Sequence, residues 1–245
     1  MTQHYYGWVP DIPDQRDYLY SAIRPVIRLP KKVDLREDCS IVENQGALGS
    51  CTAQALAGNL EFLDKKIDDD YIDVSRLFIY YNERVLIDTV DYDSGAMLRD
   101  GIKTLKNDGA CGEGTWPYKI KLFDKKPTVK CYTEAKKRRI VSYHRITRLS
   151  EMLACLAEGY PFVFGFTVYE SFEAQSVART GVVNMPEAGE EAIGGHAVMA
   201  CGFDQAKKRF LVRNSWGADW GQDGYFTMPY EYLETLADDF WTIRK

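Results

Sequence analysis

In the stretch NQGALGSC, residues 44 to 51, a Gly-rich turn delivers a thiol to the start of an apolar, helix-periodic run. At a helix N-terminus the unpaired N–H groups and the positive end of the macrodipole favour an anion, and a thiolate is one. With an imidazolium beside it, a Cys there drops from a pKa of about 8.5 into the range of roughly 3.5 to 7.5 and becomes a nucleophile at neutral pH. Taken alone, Cys51 reads equally as helix packing, so a base elsewhere must decide. Of the three His, His4 lies near the N-terminus and His144 in an ordinary strand-like run, VSYHRI. His196 differs. It follows the flexible-looking GEEAIGG and begins an apolar run, which places an imidazole at a strand entrance where two glycines let another group approach. Further on, RFLVRN delivers Asn214, followed by SWGADWGQDGY. An Asn amide orients an imidazole without competing for its charge, and Trp216 and Trp220 can shield that bond from water. Either Trp alone reads as a packed turn.

The elements that must position these residues fall into three parts. Residues 1 to 32 hold four of the nine Pro (Pro10, Pro13, Pro25, Pro30) and a cluster of aromatics, which predicts an extended, docked arm. Its Tyr5, Tyr6 and Trp8 are suited to apolar pockets, and its Asp11, Asp14 and Asp17 to keeping it soluble. From 33 to 139 the pattern is mostly helical: Leu56, Leu60, Leu63 and Ile67 recur on one face, as do Leu98, Ile102 and Leu105. From 140 to 245 one helix, LSEMLACLAEG, precedes strand-like runs at FVFGFTV, HAVMACGF, RFLVRN, GYFTM and FWTI.

NQGALGSCTAQA, GGHAVMACGFD and VRNSWGADWGQDGY, in that order and preceded by VDLRE, resemble the signature blocks of the papain-like cysteine peptidases, in particular a microbial branch of that family. The resemblance runs from residue 33 to about 230. It implies an α+β, two-lobed fold, with an α-rich N-terminal lobe, a β-barrel-like C-terminal lobe and the active site in the cleft between them. It also implies a nucleophile at Cys51, a partner at His196, an orienting amide at Asn214 and an oxyanion donor at Gln45. The Gln45 side-chain NH2 would act alongside the Cys51 backbone N–H, and losing one such donor typically adds about 3 to 4 kcal/mol to the barrier. For substrate, the family's backbone-pairing glycines correspond to DYDSGAM, which makes Gly95 the expected pairing residue with Ser94 in place of a second glycine. Met97, Gly165, Gly194 and Ala197 are expected to line a roomy apolar pocket for the second residue before the cut, with Gly195 and Trp216 beside them. Met97 also reads as the start of a packed helix. Two departures stand out: Leu48 replaces the usual Cys three residues before the nucleophile, and Thr52 replaces the usual aromatic after it.

The bulk properties exclude several functions. A net charge of -5 leaves no basic footprint for nucleic acid, and AKKRRI is too short to be a patch. The three His are far apart and unaccompanied by C-x-x-C, so neither metal nor cofactor is expected. No apolar run reaches the roughly 18 to 20 residues of a membrane span and no leader pattern begins the chain, which predicts a cytoplasmic protein, or one exported by a non-standard route; the resemblance to a microbial branch implies a bacterial origin, and a monomer is expected. Of the six Cys, Cys155 and Cys201 sit in apolar runs and read as inert core. Cys39, Cys111 and Cys131 lie in loop-like contexts, and sequence does not say which of them pair. The expected function is a cysteine endopeptidase that takes peptide or protein substrates, prefers a hydrophobic residue two before the cut and is restrained by its arm. The alternatives are an acyl transferase or deconjugase using the same machinery, or a silent binding protein whose arm fills the cleft.

Overall fold

A computed structural model describes residues 4–24, 28–68 and 71–245; Pro25 of the arm lies outside them. In chain order come β1 (Lys32–Asp34), α1 (Cys51–Asp68), α2 (Arg76–Leu86), α3 (Leu98–Asn107), α4 (Val129–Ala135), β2 (Ser142–Arg145), α5 (Leu149–Ala157), β3 (Phe162–Tyr169), α6 (Gln175–Thr180), β4 (Ala192–Asp204), β5 (Arg209–Arg213), β6 (Tyr225–Pro229), α7 (Tyr230–Thr235) and β7 (Ala237–Arg244). The fold is α+β and two-lobed: α1, α2 and α3 pack together, and an antiparallel sheet in the order β2-β7-β3-β4-β5-β6 forms the second lobe, with β1 added to the far end of β4.

The central helix of the first lobe is buried on every face from Cys51 to Asp64, as its near-continuous small and apolar residues require. Ile67 is an exception to the predicted stripe, because α1 emerges into solvent in its last turn and leaves that side chain 48% exposed. Of the polar residues α1 buries, Glu61 is tied to several neighbours. Glu61 accepts from the Val74 N–H (2.8 Å) and from the Ser40 hydroxyl, and it meets the Arg76 guanidinium twice, at 2.8 and 2.9 Å. That single carboxylate therefore joins α1 to the start of α2 and to the segment leading into the Cys51 turn.

In the second lobe, β3 and β4 pair along nearly their whole length, Phe162 opposite Ala200 through Phe166 opposite His196 to Tyr169 opposite Ala192. Phe162, Phe164, Phe166, Phe172 and Phe240 fill the space beneath with offset and edge-on ring contacts. The strand carrying His196 already begins at Ala192, so His196 sits within it and not at its entrance. The glycines before it are strand residues, paired with Thr167 and Val168, and were read as a flexible lead-in because Gly-Gly carries no strand signal. All six Cys are buried free thiols, and Cys131 lies in α4 where a loop was expected. Among the described residues no helix is long and apolar enough to cross a membrane.

Glu61→Ala leaves the buried Arg76 with Asp73 as its remaining carboxylate and takes the acceptor from the Val74 N–H and the Ser40 hydroxyl, and is expected to lower unfolding stability by about 2 to 4 kcal/mol, measured by urea denaturation. A loss below about 1 kcal/mol, the scale of an exposed pair, would show that the ion pair does not join these helices.

Candidate active site

Cys51 is the first residue of α1 and is fully buried. The turn before it is fixed from outside: the Gly49 N–H donates to both carboxylate oxygens of Asp93, at 2.9 and 3.2 Å, and the Ser50 and Tyr118 hydroxyls lie 2.6 Å apart. The backbones of Thr52 and Ala197 lie near the Cys51 sulfur and favour its thiolate, so the residue after His196 approaches the thiol across the lobe boundary. His196 Nε2 lies 2.8 Å from Asn214 Oδ1, which also accepts from the Ser215 N–H at 2.9 Å. His196 Nδ1 has no partner among the described residues. Trp216 stacks on the imidazole at 5.0 Å, with Trp220, Phe172 and Phe166 closing round it, so the His–Asn bond is held in a dry aromatic box.

Gln45 is equally constrained. Its Oε1 accepts from the Ser215 hydroxyl at 2.7 Å, and its own N–H donates to the Ser215 carbonyl at 2.9 Å, which fixes the amide so that its Nε2 faces the cleft. Ser215 was invisible as a site residue in the sequence, although its place between Asn214 and Trp216 marks it as the residue that couples the two.

The cleft is occupied by the chain's own arm. His4 stacks on Trp216 at 3.7 Å, the Tyr5 carbonyl accepts from Gln45 Nε2 at 3.0 Å, and Tyr6 packs edge-on to His196. The Gly7 backbone lies close enough to the Cys51 sulfur to favour its thiolate. The Gly7 carbonyl accepts from the Ala96 N–H (2.8 Å), the Val9 N–H donates to the Ala96 carbonyl (3.0 Å) and the Trp8 N–H donates to the Gly195 carbonyl (3.0 Å). Gly7 is demanded by this path, since a Cβ there would lie 1.7 Å from the Gly49 carbonyl oxygen.

Most of the predicted lining residues meet the arm. The Trp8 indole lies against Gly165 and Gly195, and Tyr6 against Gly194, so closely that a Cβ on any of the three would clash. Ala197 reaches Cys51 through its backbone. Gly95 is corrected: the arm's backbone pairing runs through Ala96, one residue later, while Gly95, at a φ of 69°, gives the Gly7 carbonyl room to approach. Ser94 turns into its own loop, bonding Thr89 and the Gly95 carbonyl, and Met97 is the N-cap of α3. The arm's acids are corrected too. Only Asp14 behaves as a solubilising group, paired with Arg16. Asp11 is buried, accepting from the Arg99 N–H and from Trp241 Nε1, and Asp17 is held by Arg99 and Arg145. Asp239, which accepts from Trp8 Nε1 at 3.1 Å and from the Asp11 N–H at 2.7 Å, is a further contact the sequence pattern did not single out.

The comparisons with known proteins agree with this geometry. Residues 29–235 match the model of the papain family cysteine proteases. The chain belongs to that family. It is 43% identical to xylellain, a cysteine protease from Xylella fastidiosa, whose structure superposes with a TM-score of 0.89 over 98% of this chain and 96% of that one. An uncharacterized peptidase C1-like protein of Acanthamoeba polyphaga mimivirus is 42% identical over 98% of this chain and 86% of its own length. Chymopapain of Carica papaya is 27% identical over 88% of this chain, which spans 58% of that protein's length.

In this papain-family protease the filled cleft sets the protonation of the pair. Burial pushes the Cys51 thiol up to about 11 and the His196 imidazole down to about 4, so near neutral pH both are uncharged with the arm in place. Because the thiol is raised, thiolate accumulates only as pH climbs towards about 11, and alkylation of Cys51 by iodoacetamide in the full chain is expected to be slow at pH 7 and to rise about tenfold per pH unit above it. A rate already at its plateau at pH 7, followed by mass spectrometry of the Cys51 peptide, would show that the arm does not hold the pair neutral.

Proposed function

We propose that this cysteine peptidase is an endopeptidase whose cleft is closed by its own N-terminal arm, with Cys51 as nucleophile, His196 as its acid–base partner, Asn214 as the orienting amide, and Gln45 with the Cys51 N–H as the oxyanion donors. The observation that carries the reading is the hydrogen bond from Gln45 Nε2 to a peptide carbonyl of the arm, 3.0 Å long, in a site where the same arm leaves the Cys51 thiol fully buried. The oxyanion donor is filled by Tyr5, while the backbone close to the thiol belongs to Gly7, two residues further on. The arm thereby fills the donor and crowds the thiol together, and a substrate reaches neither while the arm stays docked.

Once the arm leaves, water returns to the thiol and the imidazole, and the burial that kept them neutral is relieved. The helix N-terminus and the Ala197 and Thr52 backbones then favour the thiolate, and the proton passes to His196. The sulfur attacks the substrate carbonyl carbon, and the electron pair displaced onto oxygen is received by Gln45 Nε2 and the Cys51 N–H. His196 gives its proton to the departing nitrogen, the acyl-enzyme remains, and the neutral imidazole next takes a proton from water as that water attacks the thioester. Throughout, Asn214 holds the ring and Ser215 holds Gln45, so donors and base are preset in a single frame.

The slot that Trp8 fills, floored by Gly165 and Gly195, suits a bulky apolar side chain two residues before the cut, and Ala96 supplies the backbone partners beside it. A silent binding protein is disfavoured because each proposed catalytic group is held by its own partners. An acyl transferase would differ in sending the acyl-enzyme to an added amine.

Gly7→Ala, whose methyl has no space against Gly49, is expected to expel the arm and raise kcat/KM on a short fluorogenic peptide at least about tenfold, as is deletion of residues 1 to 30. Unchanged kcat/KM with a lowered Tm in both variants would reduce the arm to structural edging. In the truncated enzyme, Gln45→Ala should cut kcat by roughly a hundredfold or more with little change in KM, and Cys51→Ala should abolish turnover. A Gln45→Ala effect confined to KM would make that residue a substrate contact only.

A further inference from the structure

Outside the cleft, two of the remaining buried thiols are brought together by one residue. Leu35 donates its N–H to the Cys201 carbonyl at 2.8 Å, and its own carbonyl accepts from the Cys39 thiol at 3.5 Å. Both side chains lie in the same apolar cluster with Tyr225, the Cys39 thiol donating to the Leu35 carbonyl and the Cys201 thiol to the Leu211 carbonyl at 3.7 Å. Their surroundings are unequal. Cys39 keeps 8% of its surface exposed while Cys201 is fully enclosed. Lys65 donates to the Cys39 carbonyl at 3.0 Å, and Arg213 wraps the next two carbonyls, of Ser40 and Ile41. The neighbouring Cys201 side chain and the Arg213 charge hold the Cys39 thiol below its ordinary value, whereas burial pushes Cys201 well above. Cys111 and Cys131 also share a cluster, beside Phe78, but burial and the facing Glu134 push the Cys111 thiol up, away from a thiolate.

We propose that Cys39 and Cys201 are a peroxide-sensitive thiol pair whose disulfide ties the segment leading into Gln45 to the strand that carries His196. The Cys39 thiolate attacks one oxygen of hydrogen peroxide; the O–O bond breaks, hydroxide leaves and is protonated to water, and Cys39 becomes a sulfenic acid. The Cys201 sulfur then attacks Cys39, an S–S bond forms as the S–O bond breaks, and the departing hydroxyl leaves as water with the Cys201 proton. Two thiols and one peroxide give one disulfide and two waters. β4 runs from His196 to Cys201 without interruption, and Cys39 precedes Gln45 by a short run held to Arg213, so the link spans the frame on which both residues stand. It also closes a long stretch of chain, the case in which a crosslink restricts the unfolded ensemble most.

The test uses the full chain carrying Cys51→Ala, which removes the cleft thiol. After treatment with hydrogen peroxide, denaturation and alkylation, peptide mapping should show one cross-linked species joining the Cys39 and Cys201 peptides, with both lost from the alkylated pool. The melting temperature should rise by roughly 5 to 10 °C, and both changes should be reversed by dithiothreitol. With Cys201→Ala added, Cys39 should instead be trapped by dimedone as a sulfenic acid. Cys39 and Cys201 both fully alkylated after peroxide, or a disulfide joining Cys111 to Cys131 instead, would overturn the proposal. So would dimedone labelling of Cys39 at the same level with and without Cys201.

Discussion

The Gln45 amide and Ser215 hold each other across the boundary between the lobes, and the rest of the site depends on that junction. Gln45 comes from the turn that starts the buried helix, and Ser215 from the end of β5, next to the Asn that orients the imidazole. Because the pairing is double, through side chain and backbone, neither lobe can shift without breaking a bond in a nearly dry place. Unmade polar groups are expensive there. The same constraint explains the aromatic residues round His196. They contribute no chemistry, but they keep water from competing for the one hydrogen bond that sets the ring's orientation.

A cleft with donors preset on both walls attracts any backbone that reaches it. The arm meets this demand with a sequence that fits tightly at Gly7, Gly165, Gly194 and Gly195, where backbone or ring passes within the space a methyl group would need. Two kinds of anchor hold it. Near the thiol, the Tyr6 and Trp8 rings use apolar contact. Beyond the cleft, Asp11 and Asp17 form bonds with Arg99, Arg145 and Trp241, and Tyr20 is fully buried in the second lobe with its hydroxyl donated to Glu158. Burial and the facing Asp239 raise Asp11 to about 7, so protonation of that anchor favours the docked arm at acid pH and the advantage fades as pH rises towards 7. The arm is thus at once an occupant of the cleft and part of the packed fold.

Cys51, His196 and Asn214 stood out in the sequence because their chemistry leaves local marks: a Gly-rich turn before a helix for the thiol, an apolar strand for the imidazole, a strand end beside Trp and Gly for the amide; Gln45 left none and came from the family resemblance. The helices α1, α3 and α5 and the strands from β2 onward were legible from periodicity, whereas β1, α2, α4, α6 and α7 were not. What a local pattern does not carry is which backbone faces which. Ala96 pairs with the arm and Gly95 clears its path, a one-residue difference that depends on how the loop turns at φ 69°. Asp11 and Asp17 look like solubilising charges until Arg99 and Arg145, distant in sequence, are folded against them. Leu35 brings Cys39 to Cys201 only because β1 joins the sheet at the far end of β4. The sequence by itself determined the chemical groups and the elements that carry them. The tertiary structure decided their partners, because a buried donor or charge is satisfied by whatever the fold brings within hydrogen-bonding distance, and that distance is unrelated to separation along the chain.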